Sequence, residues 1–335
     1  MVATTNRLRL TMLGLPVIGS LGDLARETHF SKKLLYRLSK HSDRFYKTYQ
    51  IRKKSGGLRT IAQPSRTMKA VQSWILRNIL DGLRVSNVCK GFEKDVSILE
   101  NAKPHKDANA VLNIDLEDFF PTVKSAWVCN VFKSVGYGAR ISGILTSLCT
   151  FAGALPQGGP CSPKLANLTS LRLDIRIQGY VGRMGVIFTR YADDLTFSSY
   201  SSKQVTRAYR KVKEIIESEG FQVNERKTRV AGLSRARRVT GLVVGDGRVR
   251  IGRKRLRVVR SKINHLCLLA PDADSSREVN HVRGWLSFVR NVDPTSWKTL
   301  GRYVEKLRAK YPSSCVVRLE RCFRSSHDQP AAVDK

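Results

Sequence analysis

The stretch VIFTRYADDLTF, residues 186–197, decides the fold of this chain. Its first four residues alternate and are β-branched, and residues 195–197 continue in strand character after an acidic pair. This pattern predicts two strands joined by a tight turn. Because Asp193 and Asp194 are adjacent at that turn, their carboxylates can face one point in space. An acidic hairpin turn without further function is the alternative interpretation of such a pair.

A third acid, Asp115, ends another apolar run, VLNID at residues 111–115. Carboxylates that crowd together repel one another and are costly to bury unless a cation neutralises them. Three hard oxygen ligands without a nearby Cys or His suit Mg²⁺, which keeps part of its water shell and binds substrate phosphates. Asp115, Asp193 and Asp194 therefore predict a magnesium site suited to two-metal phosphoryl transfer.

Composition and charge narrow the class of partner. The chain has 335 residues, of which 41% are hydrophobic and 26% are charged, as expected for a folded protein. Lys and Arg number 60 against 27 acids, and the net charge of +33 favours binding to a polyanion. An anionic membrane is the competing partner, but the basic residues are spread along the chain rather than confined to one amphipathic helix. We therefore expect a nucleic-acid partner and no membrane.

Cysteine usage and the N-terminal segment bear on localisation. The seven cysteines form no CxxC pair, which favours reduced thiols in a cytoplasmic protein. No run approaches the roughly 18 apolar residues of a membrane-spanning helix. Residues 8–21 are partly apolar, but polar residues, glycine and proline interrupt them and no cleavage site follows. We expect this segment to be a docking arm, and we expect no export signal in the sequence.

Hydrophobic periodicity predicts alternating helices and hairpins. Helices are expected over residues 20–44, 68–83, 126–132, 141–148, 163–180 and 202–219. Strands are expected over residues 45–54, 58–62, 112–116, 221–224, 239–244 and 249–251. Three basic amphipathic helices are expected at 253–269, 276–291 and 295–310. Periodicity alone indicates an α+β fold, and the acids at strand ends followed by a helical bundle are typical of a polymerase palm with an appended thumb.

Several blocks of sequence, in order, resemble the successive blocks of a reverse transcriptase. They are LRTIAQPS (58–65), NIDLEDFFPT (113–122), LPQGGPCSPKLAN (155–167), RYADDLTF (190–197) and GFQVNERKT (220–228). Two further segments, NAKPH (101–105) and VTG (239–241), resemble the NAxxH and VTG segments that mark bacterial retron reverse transcriptases. The opening segment 8–25 and the segment HVRGWLSFV (281–289) also resemble this group.

The resemblance implies a right-hand polymerase, with fingers and an antiparallel palm sheet flanked by helices, followed by an α-helical thumb. We expect an N-terminal helical arm over residues 1–44, fingers and palm over 45–251, an RNA-binding thumb over 252–320 and a flexible tail over 321–335. The catalytic metal ligands of the family correspond to Asp115, Asp193 and Asp194, with the backbone carbonyl of Leu116 completing the shell. Two Mg²⁺ ions are implied, with Mn²⁺ as an alternative.

The resemblance also assigns nucleotide contacts. Arg59 and Lys53, on the first hairpin, are expected to bind the triphosphate, although a solvated basic face is the alternative for the lysine. Phe120 resembles the aromatic gate that excludes a ribose 2′-hydroxyl, while Phe119 and Phe120 could both be core residues. Gln157 is expected to touch the sugar or the template. Lys227 resembles a lysine that protonates pyrophosphate, with a solvated lysine as the alternative.

Contacts with primer and RNA are assigned in the same way. Tyr191 is expected to pack near the primer terminus. Asn101 and His105 are expected to bond the folded RNA or the priming nucleotide, or else to cap a loop. Thr240 and Gly241 contact RNA or simply form a tight turn. A dense basic face of the thumb is expected to contact an RNA stem through phosphates and 2′-hydroxyls: Arg253, Lys254, Arg255, Arg257, Arg260 and Lys262.

A retron enzyme is expected to bind a structured noncoding RNA, prime from a guanosine 2′-hydroxyl, and use dNTPs to copy part of that RNA into DNA. The product is branched msDNA, an RNA–DNA hybrid. The implied partners are a separate ribonuclease H and an effector or toxin protein of an antiphage defence system. Two alternatives stay open from the sequence: another bacterial reverse transcriptase, such as a group II intron-like enzyme, and a non-catalytic RNA-binding scaffold or antitoxin that keeps the polymerase fold.

Overall fold

The computed structural model describes residues 4–52, 56–270 and 275–323. Lys53, predicted to bind nucleotide, lies outside the described residues, as does the predicted tail from residue 324 onward. The chain divides into two compact units: unit 1 is Met1–Asn101 with Asn109–Ser234, and unit 2 is Ala102–Ala108 with Arg235–Lys335. The predicted boundaries between arm, fingers and palm, thumb and tail stay predictions.

Unit 1 is an α+β structure. Its helices are α1 Arg7–Met12, α2 Leu21–Thr28, α3 Lys32–Lys40, α4 Arg66–Ile75, α5 Ile98–Ala102 at the boundary, α6 Phe119–Thr122, α7 Ser125–Val135, α8 Ala139–Cys149, α9 Ser162–Thr169, α10 Leu171–Gly182 and α11 Ser202–Ser218. Its strands are β1 Tyr46–Arg52, β2 Leu58–Pro64, β3 Ala110–Asp115, β4 Ile187–Tyr191, β5 Asp194–Ser199 and β6 Arg229–Ala231. β1 and β2 form a separate antiparallel hairpin.

A four-stranded antiparallel sheet, ordered β4–β5–β3–β6, forms the centre of unit 1. The apolar residues of its interior strands face the core: Leu112 pairs with Phe197, Ile114 pairs with Leu195, and all four are fully or almost fully buried. Helices α10 and α11 pack against the sheet. This register places the end of β3 beside the start of β5.

Unit 2 combines a small sheet with a helical bundle. Its strands β7 Arg238–Val239, β8 Leu242–Gly245 and β9 Arg248–Arg250 are joined in sequence order. Its helices α12 Arg253–His265, α13 Ser276–Val292 and α14 Pro294–Lys310 pack on one another. The 3₁₀ turn Lys103–His105 packs against β8. No helix among the described residues is long and apolar enough to cross a lipid bilayer.

Most predicted elements are confirmed, with interruptions that periodicity did not show. The helical region 20–44 contains two helices, because His29 adopts a left-handed conformation at the end of α2 and Ser31 caps α3. The predicted helix 163–180 is divided at Ser170 into α9 and α10. The predicted strand 239–244 is divided by a turn at Thr240 and Gly241.

One strand was predicted in the wrong place. Residues 221–224 form no strand; Val223 makes only an isolated bridge with Leu116. The fourth strand of the sheet is instead Arg229–Ala231, which pairs with β3 from Asn113 to Val111. Its short, exposed and basic sequence carries little alternation, so this strand is set by the open edge of β3 rather than by its own pattern.

Candidate active site

Two strand ends bring the three predicted acidic residues together. β4 and β5 are joined by a two-residue turn, and Ala192 in this turn has a positive φ of 59°. Asp115 at the end of β3 pairs with Asp194 at the start of β5. The Leu116 N–H donates to the Asp193 carbonyl at 3.0 Å, which ties the turn to β3. Backbone pairing therefore holds all three acids at one edge of the sheet.

The crowding of these acids is visible in their pKa values. Loss of hydration raises the pKa of Asp193, and repulsion from Asp115 adds to this effect. Loss of hydration, followed by repulsion from Asp193 and Asp115, raises the pKa of Asp194 to about 6. Asp194 nevertheless stays exposed, so water screens part of this repulsion. The site carries more negative charge than its immediate surroundings neutralise.

Lys227 provides the nearest positive charge. Its Nζ lies 3.0 Å from Oδ1 and 2.9 Å from Oδ2 of Asp115, and this contact raises the pKa of the lysine. Among the residues that the structure describes, no three His, Cys, Asp or Glu side chains are arranged to hold one metal ion. In this arrangement Asp115 is paired with the ammonium group of Lys227.

A cavity of about 500 Å³ opens beside the acidic residues. Many predicted site residues line it, namely Arg59, Asp115, Leu116, Phe119, Phe120, Gln157, Asp193 and Lys227. The remaining lining residues are Ile61, Phe92, Glu117, Asp118, Gly158 and Asn224. Asp194 and Tyr191 belong to the adjacent turn rather than to the lining. Residues from β2, the end of β3, the PQG segment and the YADD turn thus converge on one cavity of nucleotide size.

Gln157 has an unusual position in this cavity. The Ala62 N–H donates to the Gln157 carbonyl at 2.9 Å, which joins the PQG segment to β2. Gly158 has a φ of 129°, and a Cβ there would lie 3.0 Å from the Ala62 carbonyl oxygen. The glycine is therefore needed for close backbone packing. The Oε1 atom of Gln157 is buried and has no hydrogen-bond partner among the described residues.

The two phenylalanines after β3 both line the cavity but differ in burial. Phe119 is only 3% exposed and stacks on Phe221, whereas Phe120 is half-buried. Both residues lie in the short helix α6, where consecutive side chains diverge. Phe92 was missed: it has a positive φ of 61°, is 44% exposed and lies 6.0 Å from the Phe120 ring. Its only signal in the sequence is an aromatic residue after glycine.

The cavity and its residues agree with the similarity of this chain to known proteins. A family model described as reverse transcriptase (RNA-dependent DNA polymerase) matches residues 51–266. The chain is 48% identical over 308 residues to the Retron Ec86 reverse transcriptase of Escherichia coli, covering 91% of this chain and 95% of that protein. The chain belongs to the retron reverse transcriptases.

A second retron relative agrees with this assignment. The Retron Mx65 reverse transcriptase of Myxococcus xanthus is 35% identical over 318 residues, covering 88% of this chain and 73% of that protein. Among solved structures, telomerase from Candida albicans in complex with a fragment of telomeric RNA has a TM-score of 0.48 at 12% identity, covering 84% of this chain and 61% of that chain. The family model and the retron relatives confirm the family, the right-hand polymerase fold and RNA-directed DNA polymerase activity, and the group II intron-like alternative is set aside.

The two segments that mark retron reverse transcriptases are largely internal. Asn101 and His105 are fully buried, and burial lowers the pKa of His105 to about 4. In unit 2, the segment that contains His105 packs under the small sheet, and Arg237 Nη1 donates to the Ala108 carbonyl at 2.9 Å. This burial favours the alternative that Asn101 and His105 shape a loop, and contact of either side chain with RNA stays a prediction.

The VTG segment of this retron enzyme forms a tight turn between β7 and β8. Thr240 and Gly241 both have positive φ, 44° and 82°. A Cβ at Gly241 would overlap the guanidinium of Arg255, so the turn supports this arginine of α12. All six predicted basic residues lie on α12, where Arg255 and Lys262 are half-buried and the other four are exposed. Their contacts with RNA stay predictions.

Proposed function

We propose that Asp115, Asp193 and Asp194 hold two divalent cations, Mg²⁺ or in its place Mn²⁺. The observation that carries this proposal is the crowding of three carboxylates at one sheet edge, with raised pKa values for Asp193 and Asp194. The donor set fits, because carboxylates and the nearby Leu116 carbonyl are hard oxygen ligands. When bound there, two such ions would supply neutralisation of phosphate charge and activation of the primer hydroxyl.

The residues of the cavity suggest how an incoming dNTP is held. Arg59 carries a fixed positive charge close enough to lower the pKa of Asp193, and its guanidinium suits phosphate oxygens. The buried Oε1 atom of Gln157 accepts a hydrogen bond from the sugar or the template base. Phe120 closes the sugar side of the cavity and excludes a ribose 2′-hydroxyl. Tyr191, beside the turn, packs near the primer terminus.

The reaction joins the primer hydroxyl oxygen, which gives up its proton to water, to the α-phosphorus of the dNTP, while the bond from that phosphorus to the bridging oxygen breaks and pyrophosphate leaves. Lys227 lines the same cavity. Once Asp115 is neutralised, the Lys227 ammonium is released from its ion pair and donates a proton to the departing pyrophosphate. Arg59 and Lys227 thus accompany the negative charge that moves onto the leaving group.

The template and primer that we propose are those of a retron. The enzyme binds a structured noncoding RNA through the basic face of α12, with Thr240 and Gly241 beside it. It primes from a guanosine 2′-hydroxyl and copies part of that RNA into branched msDNA in the cytoplasm. We further propose that a separate ribonuclease H trims the template, and that the enzyme and msDNA act with an effector protein in antiphage defence. The membership of the chain in the retron reverse transcriptases supports these proposals.

The test is the nucleic acid that copurifies with the protein when it is expressed with its native flanking locus. The sample is treated with ribonuclease and resolved on a denaturing gel, and the wild type is compared with Asp193→Asn. We expect a discrete short DNA joined to an RNA remnant by a 2′–5′ bond that debranching enzyme cleaves, absent from the variant.

Each other outcome contradicts a stated part of the proposal. DNA without the branch would exclude priming from a 2′-hydroxyl. RNA alone in both samples would favour the scaffold function. Branched DNA in the Asp193→Asn sample would remove this residue from the catalytic centre.

A further inference from the structure

A fully buried ion pair lies directly behind the YADD turn. Arg190 on β4 and Asp174 on α10 both have side chains with 0% exposure. The Nε and Nη2 atoms of Arg190 donate to the two carboxylate oxygens of Asp174, each at 2.7 Å. The Phe119 ring, which lines the nucleotide cavity, has its centroid 5.9 Å from the guanidinium carbon.

The third nitrogen of Arg190 reaches the turn itself. Nη1 donates to the Ala192 carbonyl at 3.2 Å and to Asn167 Oδ1 at 3.1 Å. The Asn167 amide in turn donates to the Gly91 carbonyl at 2.8 Å and to Glu93 at 2.9 Å. Lys164 completes this network through an ion pair with Glu93 at 2.7 Å.

The turn is one that benefits from external support. A positive φ is disfavoured for alanine, so the conformation of Ala192 depends on its surroundings. Both peptide carbonyls of the turn are held: that of Asp193 by the Leu116 N–H, and that of Ala192 by Arg190. Gly91 packs so tightly behind the turn that a Cβ would overlap the Ala192 nitrogen.

The ion pair is not needed merely to fill the core. Well-packed apolar residues of similar volume fill a core as well as, or better than, a buried Arg–Asp pair. The feature that apolar residues cannot reproduce is the directed N–H from Arg190 to the Ala192 carbonyl.

We infer that Arg190 is a positioning residue for nucleotidyl transfer, which fixes the peptide before Asp193 and so the direction in which the acidic pair faces the cavity. Asp174 orients the guanidinium, and Asn167 extends its support to Gly91. This inference rests on the proposed role of Asp193 and Asp194 in catalysis. Groups held slightly out of place lose much of their catalytic effect even when they are chemically intact.

The test uses the full-length enzyme in a dNTP incorporation assay on an RNA template. Arg190→Met with Asp174→Leu removes both charges at once, and so leaves no lone buried charge. We expect kcat to fall about 100-fold, with a higher Mg²⁺ concentration for half-maximal activity and a Tm close to that of the wild type. Arg190→Lys keeps the charge but loses the three-way geometry, and we expect it to lower kcat without rescue.

The matched control is Arg176→Met with Glu219→Leu, which removes another Arg–carboxylate pair, between α10 and the residue that follows α11, that does not contact the turn. Its kcat should equal that of the wild type. A wild-type kcat and Mg²⁺ requirement in the double variant would overturn the inference. If the double variant does not fold, the Arg190→Lys variant decides the question. A wild-type kcat for this variant, measured at a temperature well below its Tm, overturns the inference in the same way.

Asp193→Asn in the same assay separates this inference from the proposed function. An inactive Asp193→Asn together with a fully active Arg190→Lys contradicts only the positioning role of Arg190. An active Asp193→Asn removes the catalytic role of the acidic pair, and the positioning role is overturned with it.

Discussion

Two regions of this enzyme crowd like charges, but they hold them in different ways. In unit 1, strand pairing and the Leu116 N–H fix the acids of the YADD turn and Asp115. In unit 2, most of the basic side chains of α12 are exposed at the ends of long flexible stems. Water and salt screen exposed charges, whereas carboxylates that lose hydration repel strongly. The acids at the edge of the sheet therefore have a defined geometry and need a counter-charge. The basic side chains of α12 supply positive charge without a defined geometry.

The largest expected effect comes from neutralising one fixed acid. Asp193→Asn keeps the size of the side chain but removes a charge from the crowded edge. We expect DNA synthesis to fall by at least about 1000-fold, because stabilisation of the charge that develops in the transition state is a large catalytic term. The measurement is labelled dNTP incorporation on an RNA template, with RNA binding measured in parallel.

RNA affinity should change less than twofold in Asp193→Asn, since the proposed RNA contacts lie in unit 2. Glu214→Gln, an exposed acid on α11, is the matched control and should retain full synthesis. Persistent synthesis in Asp193→Asn would show that the crowded carboxylates do not carry the reaction.

Sugar selectivity is the next effect and tests the geometry of the cleft. Phe120→Val shortens a half-buried side chain of the cavity. We expect discrimination against ribonucleotides to fall by about 10- to 100-fold, as is typical when one pocket contact is removed. The ratio of kcat/KM for a dNTP to that for the matching ribonucleotide measures this selectivity.

Phe132→Ala is the control for Phe120→Val. Because Phe132 is fully buried on α7 and does not line the cavity, we expect this variant to lose about 3 kcal/mol of stability while its sugar selectivity stays the same. Unchanged selectivity in Phe120→Val would move the gate elsewhere, and Phe92 would be the next residue to test.

The same contrast explains how far the sequence could predict the molecule. The three acids were recognisable because Asp115 ends an apolar strand and Asp193 and Asp194 come at the turn between two others, and strand pairing then brings them together. Local sequence patterns do not specify which segments pack together in unit 2. The burial of His105 and the contact of Arg255 with Gly241 therefore could not be predicted. Arg190 was quoted within RYADD but not singled out, since its partners Asp174 and Asn167 are distant in sequence.

Substitutions on α12 should have a smaller effect, on RNA affinity, and should distinguish an arginine held in place by packing from one that is free to move. Arg257 is exposed, so Arg257→Lys should bind RNA as the wild type does, whereas Arg257→Gln should weaken binding a few-fold. Arg255 is half-buried against Gly241, so Arg255→Lys should weaken binding about as much as Arg255→Gln. Each lost phosphate contact should lower the slope of log affinity against log salt by about 1.

Binding titrations at several salt concentrations measure both quantities. Arg176→Gln, on α10 of unit 1, is the control and should leave the slope unchanged. Equal behaviour of Arg255→Lys and Arg257→Lys would mean that the VTG turn does not fix Arg255, and an unchanged slope in all variants would refute the assignment of RNA contacts to α12.

The smallest effect concerns stability without divalent ions. Loss of hydration, with repulsion from Asp193 and Asp115, raises the pKa of Asp194 from 3.8 to about 6, so the folded state binds a proton more readily than the unfolded state. Stability from this group is therefore present below about pH 4 and is lost as pH rises through about 6. At pH 7.5 the ionised carboxylate destabilises the fold, by about 1 kcal/mol after allowing for its exposure to water. Asp194→Asn should thus raise the Tm of the metal-free enzyme at pH 7.5, and the gain should vanish near pH 4.

Asp246→Asn is the control, since that acid is paired with Arg250, and it should slightly lower the Tm. A lower Tm for Asp194→Asn at pH 7.5 would mean that nearby positive charges neutralise the acids of this site as well as they neutralise acids elsewhere in the molecule.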